Sequence, residues 1–157
     1  MTFTGYTGEA VTKLDEKGRI TIPSKIRDVM RVIGHDTWYL APGDNNTVLM
    51  FHRDGWNDLR ERVTASTSDE TQLLAFQRMF FGLATDARPD PQGRMPLANH
   101  LREHARIDKE AVVVGVNDHL EVWNKEAWDA FKSKNKSLYE QMAPPLFAKR
   151  VSAAVAT

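Results

Sequence analysis

Two arginines stand in the same short pattern, and their side chain is well suited to binding nucleic acid. Arg19 follows DEKG in LDEKGRITIP (14–23), and Arg94 follows DPQG in RPDPQGRMPL (88–97). A guanidinium can donate two parallel hydrogen bonds to guanine or to a phosphate, and a two-stranded ribbon fits the major groove of DNA. The pattern therefore predicts two hairpins that each carry a DNA-contacting arginine.

Further basic residues surround the first arginine. Over residues 13–31 the basic side chains exceed the acidic ones by three, and the candidates for DNA contact here are Lys13, Lys17, Lys25 and Arg27. Lysines would bind phosphates and add affinity without sequence information. The alternative is a local ion pair between each arginine and the aspartate four residues before it, worth less than about 1 kcal/mol.

A rival chemistry is suggested by HLREH (100–104), an H-x-x-E-H string. On a helix, His100 and His104 could share one face around zinc, with Glu103 as a general base. The matching segment of the first copy (25–29) holds no histidine, so the simpler interpretation is that these histidines face solvent. No nucleophile triad, GxGxxG or Walker loop is visible, and we expect neither an enzyme, a metal nor a cofactor.

Composition is ordinary for a globular protein and restricts the class of site. The 157 residues are 41% hydrophobic and 27% charged, with 21 basic and 21 acidic side chains and no cysteine. Disulfides and thiolate metal sites are therefore excluded. The first residues show no signal-peptide pattern and no membrane span, so we expect a cytoplasmic protein.

The chain contains an internal repeat that predicts its elements. Residues 14–27 match 89–102, and GDNNTVLMFHRDGW (43–56) matches GVNDHLEVWNKEAW (115–128). The Asp and Gly of each first motif, Asp15 and Gly18 and then Asp90 and Gly93, are predicted to shape type I turns. After the first turn, Ile20 and Ile22 alternate with polar residues as in a strand, so we expect Arg19 to point outward.

Helices and a second hairpin follow in each copy. A helix is predicted from Pro23 and Ser24 to Gly34, with an apolar face of Ile26, Val29, Met30 and Ile33. Strands around 38–40 and 48–51 flank one turn, strands 111–116 and 119–123 flank the other, and each copy then enters a helix at Trp56 or Trp128. His35, His52 and His119 are interpreted as structural or surface residues.

The segment between the copies predicts a buried helix. TSDETQLLAFQRMFFGLA (67–84) begins with a capping box, Thr67 and Glu70. Leu73, Phe76, Phe80 and Leu83 then lie along one side, which is typical of a core helix. We therefore expect the two copies to pack together and complete one another's sheet. After Pro144 and Pro145 we expect at most a short final helix that frays.

The paired motif resembles the MraZ family of bacterial regulators. DEKGR and DPQGR, each followed by a strand and a helix with Arg27 or Arg102, carry the resemblance, and VVVGVNDHLEVWNKEAW (112–128) is also typical. It covers residues 1 to about 130. The resemblance implies an α+β fold of two fused swapped-hairpin modules of the AbrB/SpoVT kind, which form a small β-barrel core flanked by helices.

The resemblance also implies a function. It implies a DNA-binding regulator, a repressor at the division and cell-wall gene cluster, that binds short direct repeats of double-stranded DNA in its own promoter. Arg19 and Arg94 would be the DNA-contacting residues, and the protein would form a homo-oligomeric ring, an octamer, in the cytoplasm at the nucleoid, away from membranes.

Four segments are expected along the chain. They are a first module (1–65), a connecting helix (66–84), a second module (85–135) and a carboxyl-terminal tail (136–157). Swapped-hairpin modules also serve as antitoxins that bind DNA through the fold and a toxin through an extra tail. That alternative remains open for the segment after Phe131.

Overall fold

The computed structural model describes residues 3–34, 36–66 and 69–149 and contains eight strands and five helices within them. The strands are β1 (Glu9–Lys13), β2 (Arg19–Thr21), β3 (Trp38–Gly43), β4 (Thr47–Phe51), β5 (Thr85–Ala87), β6 (Arg94–Pro96), β7 (Glu110–Val116) and β8 (His119–Asn124). The helices are α1 (Ser24–Ile33), α2 (Arg53–Thr64), α3 (Glu70–Gly82), α4 (Asn99–His104) and α5 (Lys125–Phe147). The predicted α+β class is confirmed.

Six strands form one antiparallel sheet in the order β1-β7-β8-β4-β3-β5. The hairpins β3–β4 and β7–β8 meet where β4 pairs with β8. The first strand of each copy joins the other copy's hairpin, because β1 pairs with β7 and β5 pairs with β3. The expected barrel is wrong: in the described part of the chain β1 and β5 are open edges, and β2 and β6 form a separate ribbon instead of closing the sheet.

The separate ribbon joins the two motifs that the sequence repeats. In it Arg19 lies opposite Pro96, Ile20 opposite Met95, and Thr21 opposite Arg94. Ile20 and Met95 are completely buried, whereas the alternate residues face away from the core. Because side chains alternate along a strand, both arginines lie on the outer face of this ribbon.

One hydrophobic core connects the ribbon to the large sheet. Its buried side chains include Ile20 and Met95 from the ribbon, Leu40 and Val122 from the sheet, and Leu101 from α4. The remaining members come from these elements, from α1 and from the chain segments that flank them. The motifs therefore stand on a packed core that holds them in a fixed orientation.

Local sequence accounts for the C-terminal end of α1 and for the β3–β4 turn. Gly34 ends α1 in the left-handed conformation (φ 76°), and its N–H donates to the carbonyl of Met30 at 3.0 Å. Ile26 and Met30 of the predicted apolar face are buried. The β3–β4 turn places two asparagines at positive φ, a conformation that asparagine tolerates better than most residues.

The prediction of a buried connecting helix is wrong. In α3 only Phe80 is buried and Phe76 is 50% exposed, and Leu83, directly after the helix, is 36% exposed. The predicted cap Thr67 lies outside the described residues, and the observed N-cap is Asp69, whose carboxylate accepts a hydrogen bond from the N–H of Gln72 at 3.1 Å. Helical periodicity identifies an apolar face, but it does not determine whether another part of the same chain covers that face.

The chain divides into two compact units, Met1–Lys125 and Glu126–Thr157. The helix α5 runs through 23 residues and contains both Pro144 and Pro145, so a separate short helix after the prolines is not observed in the described part of the chain. Within α5, the rings of Trp128 and Phe131 stack with centroids 5.9 Å apart.

Candidate nucleic-acid interface

The first motif folds into a tight turn closed by its aspartate and glycine. The N–H of Gly18 donates to the carbonyl of Asp15 at 2.9 Å, and Gly18 adopts a φ of 73° that favours glycine. The carboxylate of Asp15 accepts from the backbone N–H groups of Lys17 at 3.0 Å and Arg19 at 2.9 Å. The short side chain of Asp15, at the first position of the turn, therefore fixes the conformation of the backbone that carries Arg19.

The second motif repeats this network. The N–H of Gly93 (φ 82°) donates to the carbonyl of Asp90 at 2.8 Å. The carboxylate of Asp90 accepts from the N–H groups of Gln92 at 3.0 Å and Arg94 at 2.9 Å. The two turns thus share the same backbone hydrogen bonds although two of their four residues differ.

Each aspartate also holds its arginine by the side chain. The Nε of Arg19 donates to Asp15 at 2.7 Å, and the Nε of Arg94 donates to Asp90 at 2.8 Å. The Nη1 of Arg19 additionally lies 3.6 Å from the carboxylate of Asp90. Each arginine therefore forms the local ion pair and still lies at the surface. The Nε contact orients the guanidinium, while the side chain of Arg19 is 22% exposed and that of Arg94 is 41% exposed.

These contacts stabilise the ionised form of both carboxylates. The hydrogen bond from the backbone N–H of Arg19 is the main cause that holds the pKa of Asp15 below its ordinary value of 3.8. Burial acts in the opposite direction, while the guanidinium of Arg19 and the N–H of Lys17 lower the pKa further. Burial raises the pKa of Asp90, but the hydrogen bonds from Arg94 and Gln92 outweigh burial and lower it. Near neutral pH each turn therefore contains a charged pair, an aspartate carboxylate bound to the guanidinium of its arginine.

Residues of the ribbon and of α1 and α4 contact the turns on the side that faces the core. The N–H of Ile22 donates to the carbonyl of Gly93 at 2.7 Å, and the N–H of Leu97 donates to the carbonyl of Gly18 at 3.2 Å. A Cβ on Gly93 would lie 2.7 Å from the Nε of Arg27. Each turn is therefore fastened to the residues that follow the other turn.

The remaining predicted contacts occupy different positions. Lys17 is exposed in the first turn, and Lys13 is exposed at the end of β1, opposite Glu110. The Nζ of Lys25 donates to the hydroxyl of Thr7 at 3.0 Å. Arg27 does not lie on the outer face of the ribbon; its guanidinium packs behind the second turn, with a buried Nε.

Two residues at this surface were not among the sequence-predicted site residues. Arg102 packs on Gly18 as Arg27 packs on Gly93, and its position as the repeat partner of Arg27 is the signal that could have identified it. Gln92 is exposed, and its side-chain oxygen accepts a hydrogen bond from the Nη2 of Arg94 at 3.1 Å. Gln92 occupies the turn position that Lys17 holds in the first motif.

The HLREH string has another role in the structure. The Nε2 of His100 lies 2.8 Å from the carbonyl of Leu83, and the Nε2 of His104 lies 2.8 Å from the carbonyl of Gly43. His104 is half-buried, so the expectation that both histidines face solvent is wrong for it. Each histidine connects α4 to a different segment, and no group of three possible metal ligands occurs among the described residues.

The other histidines were interpreted as structural or surface residues. His52 is buried, and its Nδ1 lies 3.1 Å from the hydroxyl of Tyr6, where burial raises the pKa of the phenol to about 12. His119 lies between the carboxylates of Asp118 at 2.7 Å and Glu121 at 3.1 Å. Burial opposes protonation, but the hydrogen bonds to Glu121 and Asp118 outweigh it and raise the pKa of His119. His35 lies outside the described residues.

No helix formed by the described residues is both long enough and apolar enough to cross a membrane.

Several known proteins that are similar to this chain share one name. The family model with the description "MraZ protein, putative antitoxin-like" matches residues 80–144. The chain is 33% identical over 138 residues to a transcriptional regulator MraZ from Desulforamulus reducens, with 88% of this chain and 94% of the relative aligned. The same identity and coverage apply to proteins of that name from Carboxydothermus hydrogenoformans and Moorella thermoacetica. Their shared name describes a non-enzymatic role.

Proposed function

The chain belongs to the MraZ family, and we propose that it is a DNA-binding transcriptional regulator whose two turns present Arg19 and Arg94 to a duplex. The observation that carries the proposal is that both arginines lie on the outer face of one ribbon and that each makes the same pair of hydrogen bonds to its own aspartate. A guanidinium has five N–H donors, so Arg19 held at Nε, and Arg94 held at Nε and at one donor of Nη2, each keep donors for a base edge or phosphate without leaving their aspartates.

The lysines and the supporting arginines take different parts in this binding. Lys13, Lys17 and Lys25 bind phosphates and account for most of the salt dependence. Arg27 acts on DNA through the turn that it supports, because its guanidinium packs against Gly93. Asp15, Gly18, Asp90 and Gly93 shape the turns and orient the arginines.

We further infer that the protein acts as a homo-oligomeric ring, an octamer, on short direct repeats in its own promoter. The helix α3 supports this inference, since Phe76 and Met79, which lie three residues apart and so on one side of the helix, are 50% and 63% exposed. Exposed apolar faces of this kind commonly mark protein interfaces. A ring that engages several repeats would gain about 10²-fold or more in avidity when the spacing of the repeats matches.

The architecture implied by this function consists of two fused AbrB/SpoVT-like modules with swapped hairpins. The pairing of β1 with β7 and of β5 with β3 supports the exchange between modules. The modules would span residues 1–65 and 85–135, with a connecting helix over 66–84 and a tail over 136–157. The protein would act at the nucleoid in the cytoplasm and repress the division and cell-wall gene cluster by blocking polymerase.

A titration of promoter DNA with purified full-length variants tests the proposal. Arg19→Ala and Arg94→Ala should each weaken binding by about 5- to 150-fold, equivalent to about 1–3 kcal/mol per base-reading contact. The matched control is Arg31→Ala, since Arg31 is 74% exposed on α1 and paired with Asp28. If both turn variants retain wild-type affinity and salt dependence, the DNA-contacting role of these arginines is wrong.

The description of the matching family model favours a second candidate, an antitoxin of the AbrB type. Such a protein would bind DNA through the ribbon and a toxin through residues after Phe131. A full-length protein that alone represses a promoter fusion through its direct repeats, with no change when a neighbouring gene is co-expressed, would exclude this candidate.

A further inference from the structure

The two turns present different side chains at one equivalent position. Lys17 and Gln92 both follow their aspartate by two residues, and each backbone N–H donates to the aspartate carboxylate at 3.0 Å. Both residues are exposed. Because the backbone contacts are the same, the turns differ here in side-chain chemistry rather than in geometry.

Gln92 is attached to the arginine of its own turn. Its Oε1 accepts from the Nη2 of Arg94 at 3.1 Å, while the Nε of the same guanidinium donates to Asp90 at 2.8 Å. The guanidinium of Arg94 is thus held at two of its three nitrogens. A planar group fixed at two points has a defined direction, which is the requirement for reading base edges.

Lys17 offers no comparable directionality. Its ammonium has three rotatable donors on a flexible stem and cannot accept a hydrogen bond. Such a cation adds phosphate affinity but distinguishes bases poorly. The side-chain oxygen of Gln92 instead accepts from Arg94, which leaves the NH2 group of the Gln92 amide as a donor beside the guanidinium.

We infer that Gln92 is a specificity-determining residue of the second turn, which donates from its amide to an acceptor on the base pair adjacent to that read by Arg94. At the equivalent position of the first turn, Lys17 then supplies phosphate affinity beside Arg19 and reads no base, so the two turns contribute unequally to sequence recognition. This inference rests on the proposed function. The recognised edges are the major-groove acceptors of guanine, adenine or thymine, which a donor distinguishes from the N4 amino group of cytosine.

A binding panel separates the two roles. Wild type, Gln92→Ala, Gln92→Lys and Lys17→Gln are titrated against every single-base-pair variant of the bound promoter duplex at several salt concentrations. Gln92→Ala should flatten a preference of about 5- to 150-fold at one or two adjacent positions and leave the salt slope unchanged. Lys17→Gln should weaken binding to all duplexes alike and reduce the salt slope by about 1.

The exchange in the other direction provides the matched control. Gln92→Lys places the first turn's residue in the second turn, so it should increase the salt slope by about 1 and abolish the same base preference as Gln92→Ala. Since position 92 is exposed in a turn, both variants should keep the wild-type circular dichroism spectrum.

Three results would overturn the inference, and they are distinguishable. If Gln92→Ala retains the entire preference pattern while Arg94→Ala loses it, Gln92 does not read a base and the regulator proposal survives. If Lys17→Gln flattens the same positions as Gln92→Ala, the unequal division between turns is wrong. If the wild type shows no preference among duplexes, the regulator proposal fails together with this inference.

Discussion

The guanidinium of Arg27 lies so close to Gly93 that a Cβ at position 93 would be 2.7 Å from its Nε. The contact is reciprocal, because a Cβ on Gly18 would be 2.7 Å from the Nη1 of Arg102. In the described part of the chain the Nε atoms of both arginines are buried without a hydrogen-bond partner. Each guanidinium therefore packs directly against the turn of the other copy.

This packing makes the turn glycines sensitive to substitution. Gly93→Ala should destabilise the protein by about 2–3 kcal/mol, because it adds displacement of Arg27 to the cost of a left-handed non-glycine residue. Gly34→Ala is the matched control: φ is 76° there too, but nothing lies within 4 Å of the added Cβ, so about 1–2 kcal/mol is expected. Urea denaturation measures both. Equal losses would contradict a packing role for Arg27.

The position of Arg27 predicts a supporting role instead of a phosphate contact. Arg27→Met keeps much of the stem against Gly93 but removes the charge. We expect the salt slope of DNA binding to stay within about 0.3 of wild type, whereas loss of a phosphate contact would lower it by about 1. Fluorescence anisotropy at four salt concentrations distinguishes these outcomes, with Lys17→Ala as the variant expected to lower the slope.

The two turn aspartates should have unequal effects on DNA recognition. Asp90 contacts Arg94 and lies 3.6 Å from Arg19, whereas the ion pair formed by Asp15 among the described residues is with Arg19. Asp90→Ala should therefore reduce the ratio of specific to non-specific affinity more than Asp15→Ala. Loss of a negative charge should not weaken non-specific binding in either variant. Equal losses of discrimination, or a larger loss with Asp15→Ala, would argue against the shared role of Asp90.

The pair of His119 and Glu121 predicts a pH dependence of stability. The raised pKa of His119 gives stabilisation that is complete below its ordinary value of 6.5 and is lost as pH rises through the folded-state pKa. For Glu121 burial raises the pKa, but hydrogen bonds from His119 and Trp123 outweigh burial and lower it. Its stabilisation is therefore present above the ordinary value of 4.5 and is lost as pH falls through the folded-state pKa.

The stability advantage of wild type over His119→Gln should consequently be largest between those two ordinary values and decrease on either side. Urea midpoints from pH 4 to 9 measure this advantage. His100→Gln serves as the control, since His100 contacts the carbonyl of Leu83 rather than a carboxylate. An advantage that does not vary with pH would show that the ion pair contributes little.

The exposed face of α3 should be required for assembly but not for folding. Met79→Glu places a charge at a side chain that is 63% exposed, so it should leave the secondary structure intact and shift the protein to smaller species. Thr71→Glu, also exposed on α3, is the matched control. Light scattering after size-exclusion chromatography measures the mass. An unchanged mass for Met79→Glu would place the subunit interface elsewhere.

Local chemistry explains which elements the sequence could predict. The end of α1 at Gly34 depends on residues within a few positions, and the same is true of the turn hydrogen bonds between Asp15 and Gly18. Prediction was wrong for α3, where the apolar face was expected to be buried, and for the barrel, which is an open sheet with a separate ribbon. Both errors concern how segments distant in the chain meet.

The sequence by itself determined two turns that each bear an arginine, because an aspartate three residues before a glycine satisfies the turn's donors locally. Only the tertiary structure decided that these turns share one ribbon, that Arg27 supports the turn of the other copy, and that Arg19 reaches Asp90. The physical reason is the separation along the chain. Hydrogen bonds within a turn join residues a few positions apart, whereas these strand pairs and packing contacts join residues roughly 65 to 80 positions apart. No local pattern specifies which of these distant residues meet.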